Sequence, residues 1–206
     1  AQLFSRFKQD GKLQRKKPLT QKLKYSVKKK PVSQYHFIMG SKAYAFSDKH
    51  RFAMALLNNI LGGPGMNSRL NLNIREKYGY TYTIESGYHA FSDTGIFHIY
   101  FATDKKYFEK TQLLVFRELQ KLVEEEMTPR SLKKYKDQFC GQLLMAQENK
   151  LNVMLGMGRS ALLTGSIPEL DDILTSINAI TVAELKWVAE KMLNPDKMSR
   201  LIYEPL

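Results

Sequence analysis

The order in which two hydrophobic periodicities occur constrains this chain more than any other feature. Between Val32 and Thr103, strand-length runs of β-branched and aromatic residues dominate; from Asp104 onward, apolar residues recur at helical spacing. "VSQYHFIMG" reads as a first strand, starting after Pro31. "YTYTIESGYHAF" alternates with period two, which predicts Tyr80, Tyr82 and Ile84 on one face, and "SDTG" turns the chain back into "IFHIYFAT" as an antiparallel hairpin. Strands followed by a block of helices predict an α+β fold: a mostly antiparallel sheet with helices packed on one face. A chain of 206 residues can build such a core without covalent staples.

The helices announce themselves by caps and stripes. From Ser47, "SDKHRFAMALLNNILGG" opens on an N-cap candidate, places Phe52, Leu56, Leu57, Ile60 and Leu61 near helical spacing, and stops at glycine. A short helix follows the glycine-rich turn, with Leu70 and Ile74 on one face and Gly79 available to close it in the left-handed conformation. Asp104 is the expected cap of a long helix reaching about Glu126, striped by Phe108, Val115, Leu119 and Leu122. Thr128 and Pro129 mark the start of another, "SIPELDDILTSI" and "TVAELKWVAEKML" give shorter ones, and "DKMSRLIYEPL" ends in a last strand.

Charge divides the chain unevenly. Residues 1–31 hold eleven of the 32 Lys/Arg residues and one of the 20 acids, so nearly all of the formal charge of +12 belongs to this leader. It reads as a solvated linker or an arm laid along a partner rather than a nucleic-acid interface, giving a basic segment 1–31 and a folded domain 32–206. The first thirty residues contain neither an apolar signal core nor a membrane-length apolar run, so no membrane partner is expected.

The ordinary catalytic constellations are missing from the sequence. One cysteine, Cys140, excludes an internal disulfide or a thiolate cluster, and its place in the middle of a helical pattern suits a buried structural thiol better than a nucleophile. His36, His50, His89 and His98 include no pair four residues apart, so neither H-E-x-x-H nor H-x-x-E-H occurs; His36, His89 and His98 fall in strands and could meet across a sheet. "LGGPG" lacks the lysine of a phosphate loop. What stands out is "NSRLNLNIREKYGYTYTI", where a helix delivers Arg75 close to a tyrosine-rich strand. Arginine supplies a rigid fork of donors and tyrosine one donor on a stiff body; the bland alternative is a surface ion pair and a packed ring.

These residues resemble the C-terminal-half signature of the pitrilysin/insulinase superfamily, the group of mitochondrial processing peptidase and its bacterial zinc-protease relatives. The resemblance is carried by "LGGPGMNSRL", "IREKYG" and "YTY", and continues through "DTGIFHIYFAT", "MTPRSLKKYKDQ" and the closing "ITVAELKWVAEKMLNPDKMSRLIYEP". It covers residues 32–206; the basic leader matches no core element of the family and reads as the linker between two halves. Pro64 departs from the uninterrupted small residues more common in the glycine turn.

The resemblance implies a mitochondrial-processing-peptidase-like metallohydrolase domain without zinc of its own. Zinc would belong to the intact enzyme, held by an N-terminal half that carries the inverted H-x-x-E-H motif and is either fused or a partner subunit. It further implies that Arg75 and Tyr82, with Tyr80 as the nearby competitor, reach a peptide substrate and support the oxyanion that forms as its scissile amide is attacked, a preorganised donor there being worth about 3 kcal/mol. Peptide substrate, zinc-bearing half and a homodimer are the partners compatible with this picture; a scaffold subunit that has lost activity is the alternative within the same family.

Overall fold

A computed structural model describes residues 22–206, so most of the basic leader lies outside the described residues. Five strands form one sheet: β1 (Tyr25–Lys30), β2 (Tyr35–Ala43), β3 (Thr81–Ala90), β4 (Gly95–Thr103) and β5 (Ser199–Pro205), in the spatial order β1-β5-β2-β4-β3. Every pairing is antiparallel except β1 with β5, which run parallel from Tyr25 opposite Arg200 to Lys30 opposite Pro205. The strand β1 is a difference from the sequence reading, which placed Tyr25–Lys30 in the basic arm. Its lysines hid it: apolar alternation follows from burying one face of a strand, and β1, at the sheet edge, leaves both faces largely exposed.

The described residues form six α-helices, α1 (Arg51–Gly62), α2 (Phe108–Glu124), α3 (Pro129–Ala146), α4 (Lys150–Thr164), α5 (Leu170–Ala179) and α6 (Val182–Met192), of which all but α4, a helix the sequence reading did not single out, follow the expected order. The alternation in the sheet decides which face they cover. Phe37, Met39, Ile84, Phe97, Ile99, Phe101 and Ile202 point inward, and against them pack Leu56, Leu57, Ile60 and Leu61 of α1, Val115 and Leu119 of α2 and Val188 of α6, all buried. The opposite face of the sheet presents His36, Ile38, Tyr100, His98 and Glu85, the residues in alternate register with the buried ones.

Two helix starts differ from their sequence signals. α1 begins at Arg51, not near Ser47, because Asp48 turns its carboxylate on the backbone of the loop: Oδ1 accepts from the His50 N–H at 2.8 Å, closing a turn instead of capping a helix. Asp104 leads into a 3₁₀ turn, Lys105–Tyr107, and its carboxylate accepts from Gln34 at 3.3 Å. Thr128, by contrast, caps α3 as expected, its hydroxyl accepting from the Ser131 N–H at 3.2 Å with Pro129 in the first turn. The glycine turn around Pro64 closes without a left-handed residue, Gly63 being extended at φ −62° and ψ 178°.

Candidate functional site

The segment "NSRLNLNIREKYG" is wound more loosely than an α-helix. Asn71–Glu76 forms a π-helical turn whose inner face is Leu70 and Ile74, both fully buried, and it packs against β3. Such π turns cluster at functional sites because they reposition a side chain by part of a turn. Gly79, at φ 63°, ends the segment in the left-handed region, and its N–H returns to the Arg75 carbonyl at 2.9 Å.

An ion cluster bolts this segment to the helical layer. Glu118 of α2 is 4% exposed, yet its carboxylate accepts from Arg69 Nε at 3.2 Å, Asn73 Nδ2 at 2.8 Å and Lys121 Nζ at 3.1 Å. Arg69 also reaches Glu125 at 3.0 Å. Burial alone would raise the Glu118 carboxyl; the hydrogen bonds from Lys121 and Asn73 and the adjacent Arg69 charge outweigh it and hold the group below the usual glutamate range. The arginine of the "SRL" signature is therefore a structural strut, and Glu118, which no motif singled out, is its buried anchor. Its only sequence signal is a glutamate one residue before Leu119 of the buried stripe.

Arg75 sits in the last turn of the π-helical segment, about one-third exposed, with a loose 3.9 Å approach to Glu76. Its fork of donors is thus largely uncommitted to the fold. Tyr82 is 85% exposed. The period-two expectation that put it on one face with Ile84 fails at a β-bulge: Thr81 opposes Thr103 and Thr83 opposes Ala102, leaving Tyr82 as the extra residue. A bulge of this kind re-aims one side chain, and here it turns the phenol away from the core face. Two buried threonines hold the distortion. Thr81 donates to the Thr83 carbonyl at 2.8 Å or the Ala102 carbonyl at 2.6 Å, and Thr103 donates to the Tyr80 carbonyl.

Tyr80 is placed quite differently. Its ring stacks on Tyr107 at 4.5 Å and 12°, and meets Tyr78 at 5.4 Å. It is a packing element between the strand and the 3₁₀ turn before α2.

The strand histidines do reach a common surface, the open face of the sheet, but not as a ligand set. His36 Nδ1 shares a hydrogen bond of 2.8 Å with the Tyr100 hydroxyl, and His89 and His98 stack at 5.6 Å with rings only 6° apart. Stacked rings direct their nitrogen lone pairs side by side rather than at one point, and among the described residues no three His, Cys, Asp or Glu side chains converge as a metal site. These residues do not fit zinc. Burial lowers the His98 pKa first, with His89 adding to it and Glu85 opposing; burial and then Glu85 raise Tyr100. His50 lies apart, on Glu184 at 3.1 Å and against Trp187. Cys140, half-buried in α3, has its thiol pushed up by burial and by Asp137 against a smaller pull from Lys136, the opposite of an activated nucleophile. Among the described residues no helix is long and apolar enough to cross a membrane.

Known proteins resemble this chain in sequence and in fold. The chain is 28% identical over 175 residues to an uncharacterized zinc protease of Bacillus subtilis, covering 85% of this chain and 42% of that protein. It is 31% identical over 162 residues to an uncharacterized zinc protease of Streptomyces coelicolor, covering 79% of this chain and 35% of the relative. The human mitochondrial-processing peptidase subunit alpha is 26% identical over 168 residues, covering 77% of this chain and 32% of that subunit. Among solved structures, a peptidase M16 inactive domain from Pseudomonas fluorescens superposes with a TM-score of 0.79 at 27% identity, over 93% of this chain and 46% of that one. The chain thus spans less than half the length of the relatives it matches. The family model described as the peptidase M16 inactive domain matches residues 1–139, so the match takes in the basic leader that the sequence reading left outside the family core. With the pitrilysin/insulinase resemblance borne out in both sequence and fold, the chain belongs to the peptidase M16 inactive-domain family.

Proposed function

We infer that this chain is the substrate-positioning half of a zinc metalloendopeptidase, silent alone and active when a zinc-bearing N-terminal half closes over it. The observation that carries the reading is the bulge at Tyr82: the fold spends a ladder position and two buried threonine hydroxyls to project one tyrosine, 85% exposed, six residues beyond the π-helical turn that presents Arg75. Zinc would be supplied entirely by the other half, in keeping with relatives named zinc proteases. The residues of this chain bind and orient. The Arg75 fork suits backbone carbonyls of an extended peptide, and the Tyr82 hydroxyl adds one donor that needs no proton transfer. Tyr80, locked in its ring stack, supports the site without reaching substrate.

The test is cleavage of a fluorogenic peptide by the assembly of this chain with its zinc-bearing half. Arg75→Ala and Tyr82→Phe are each expected to lower kcat/KM by about 100-fold if the donor meets developing charge, while the thermal midpoint stays put because Tyr82 is exposed and the partly exposed Arg75 makes only a loose 3.9 Å approach to Glu76. Turnover like that of the unsubstituted assembly in both variants would refute the clamp and leave a scaffold role.

A further inference from the structure

The open face of the sheet holds a second surface with a chemistry of its own, whose lining includes neither Arg75 nor Tyr82. It is a groove of about 580 Å³ at the end of the sheet where β4 starts. Its floor is mostly aliphatic: Ile38 of β2 lies opposite Leu201 of β5, and Ile96 of β4, opposite Lys42, lies four residues further along, with Gly40 and His98 between them. Gly40 notches that floor, because a Cβ at this position would lie 2.5 Å from the Phe97 carbonyl oxygen. One wall is cationic. Lys24 and Lys28 flank it from β1 and the residue before it, both exposed, and the described residues that line the groove include no carboxylate.

The position is separate from the candidate clamp. Thr103 pairs with Thr81 beside the bulge, and along β4 the groove runs from the level of Tyr100, opposite Ile38, to Gly95, about 10 to 27 Å from Thr103 at roughly 3.4 Å per residue. The shape and charge restrict what can lie there. A volume in the roughly 300–1,000 Å³ range suits a short segment, and an open trough favours something elongated. Four residues of extended backbone separate Lys24 from Lys28, about 13 Å, which is the spacing of acidic side chains four apart on an extended peptide. Sequence-tolerant nucleic-acid binding uses aromatic platforms for the bases, whereas this floor is mostly aliphatic and the ring among its lining residues, His98, is already stacked on His89.

The geometry points to a peptide-binding groove, distinct from the Arg75 and Tyr82 site, that takes acidic, apolar polypeptide segments: aliphatic side chains on Ile38, Ile96 and Leu201, carboxylates toward Lys24 and Lys28. In an enzyme acting on polypeptides it would hold a stretch of substrate remote from the cleaved bond and select for acidic sequences. Lys24 and Lys28 contribute charge complementarity, which acts on selectivity and on-rate and weakens with salt.

Fluorescence anisotropy on this chain tests it with a labelled peptide alternating Glu with Leu or Val, one with Lys in place of Glu, and one with Ser in place of the aliphatic residues. Saturable binding of the first, at least tenfold tighter than either other peptide, is expected. The K24E/K28E variant should lose at least tenfold in affinity and most of the salt dependence at an unchanged thermal midpoint; Ile96→Ser should weaken binding while keeping the salt dependence. Equal affinity for all three peptides, no loss in K24E/K28E, or equally tight binding of a single-stranded oligonucleotide or of anionic phosphatidylserine vesicles would overturn the proposal, the last two marking a general polyanion patch. No cleavage is measured, so the outcome is independent of the Arg75 and Tyr82 clamp.

Discussion

Glu118 offers the sharpest check on how the site is held. Replacing it with alanine removes the common acceptor of Arg69, Asn73 and Lys121 and leaves the Asn73 amide unpaired beside a partly buried Arg69. Lys121 is half exposed and recovers water at little cost, so the loss falls on the other two partners. Breaking a buried pair by deleting one side costs about 3–5 kcal/mol; with Arg69 retaining its 3.0 Å bond to exposed Glu125, about 3 kcal/mol is expected, or roughly 6–12 °C in Tm for a domain of this size. The sign with pH follows from the depressed folded pKa. The stabilisation is complete above the ordinary glutamate value, about 4.3, and is lost as pH falls from there through the lower folded value. Urea denaturation at neutral pH and through the acid range reads both effects: Glu118→Ala and Glu118→Gln should lose stability at neutral pH and flatten the acid slope, and the Arg69→Ala, Glu118→Ala cycle should show coupling above about 1 kcal/mol. A Glu118→Ala loss under about 0.5 kcal/mol, or an unchanged acid slope, would show that the cluster is surface decoration.

Three further outcomes can be measured alongside it. Gly79→Ala forces a side chain into φ 63° and should destabilise by about 1 kcal/mol or more in chemical denaturation, whereas Gly79→Asn, better tolerated in that region, should lose less. Thr81→Val keeps the shape of a buried residue but removes the hydroxyl that clips the bulge, so a loss of about 1–3 kcal/mol is expected together with altered backbone amide shifts at Tyr82 and Thr83 in NMR spectra. His98 has a folded pKa below its unfolded value, so its contribution is present above about pH 6.5 and falls as pH drops below it; His98→Asn should remove that part of the stability profile, read by thermal unfolding between about pH 5 and 7.

The sequence was most legible where one physical signal decided the outcome. The apolar stripe through Val115, Leu119 and Leu122, the Thr128 cap, the Gly79 stop and the β3–β4 hairpin all follow from local periodicity or from a residue's own backbone preference. It was least legible where tertiary contacts overrode the local pattern. The bulge at Tyr82 breaks period two at one residue, and its signal, threonines at 81 and 103 able to bond disrupted carbonyls, depends on strands twenty residues apart meeting in register. Glu118 sits on the boundary of a buried stripe and is indistinguishable from a solvated glutamate until Arg69 and Asn73 are brought against it. Of the candidate site, the residue types and their order were readable; the exposure that separates Tyr82 from the stacked Tyr80 was not.

The lysines of β1, read in the sequence as part of a solvated linker or partner arm, lie on an outer strand of the sheet, where their charge is expected to oppose edge-to-edge pairing. Among the described residues β1 and β3 are the two outer strands of the sheet, and a strand at a sheet edge offers backbone groups to any passing strand. β3 is interrupted by its bulge, and β1 carries Lys28, Lys29 and Lys30 in succession. A second chain pairing there in register would bring like charges opposite one another, each such pair unfavourable by up to about 1 kcal/mol. Lys29→Val with Lys30→Val keeps Lys24 and Lys28 at the groove and raises β propensity along the same edge, removing the repulsion while leaving the paired side of the strand intact. The expected result is concentration-dependent self-association by analytical ultracentrifugation at low salt, with a thermal midpoint no lower than before. A variant that stayed as monodisperse as the unsubstituted chain would show that the edge is guarded by something other than its charge.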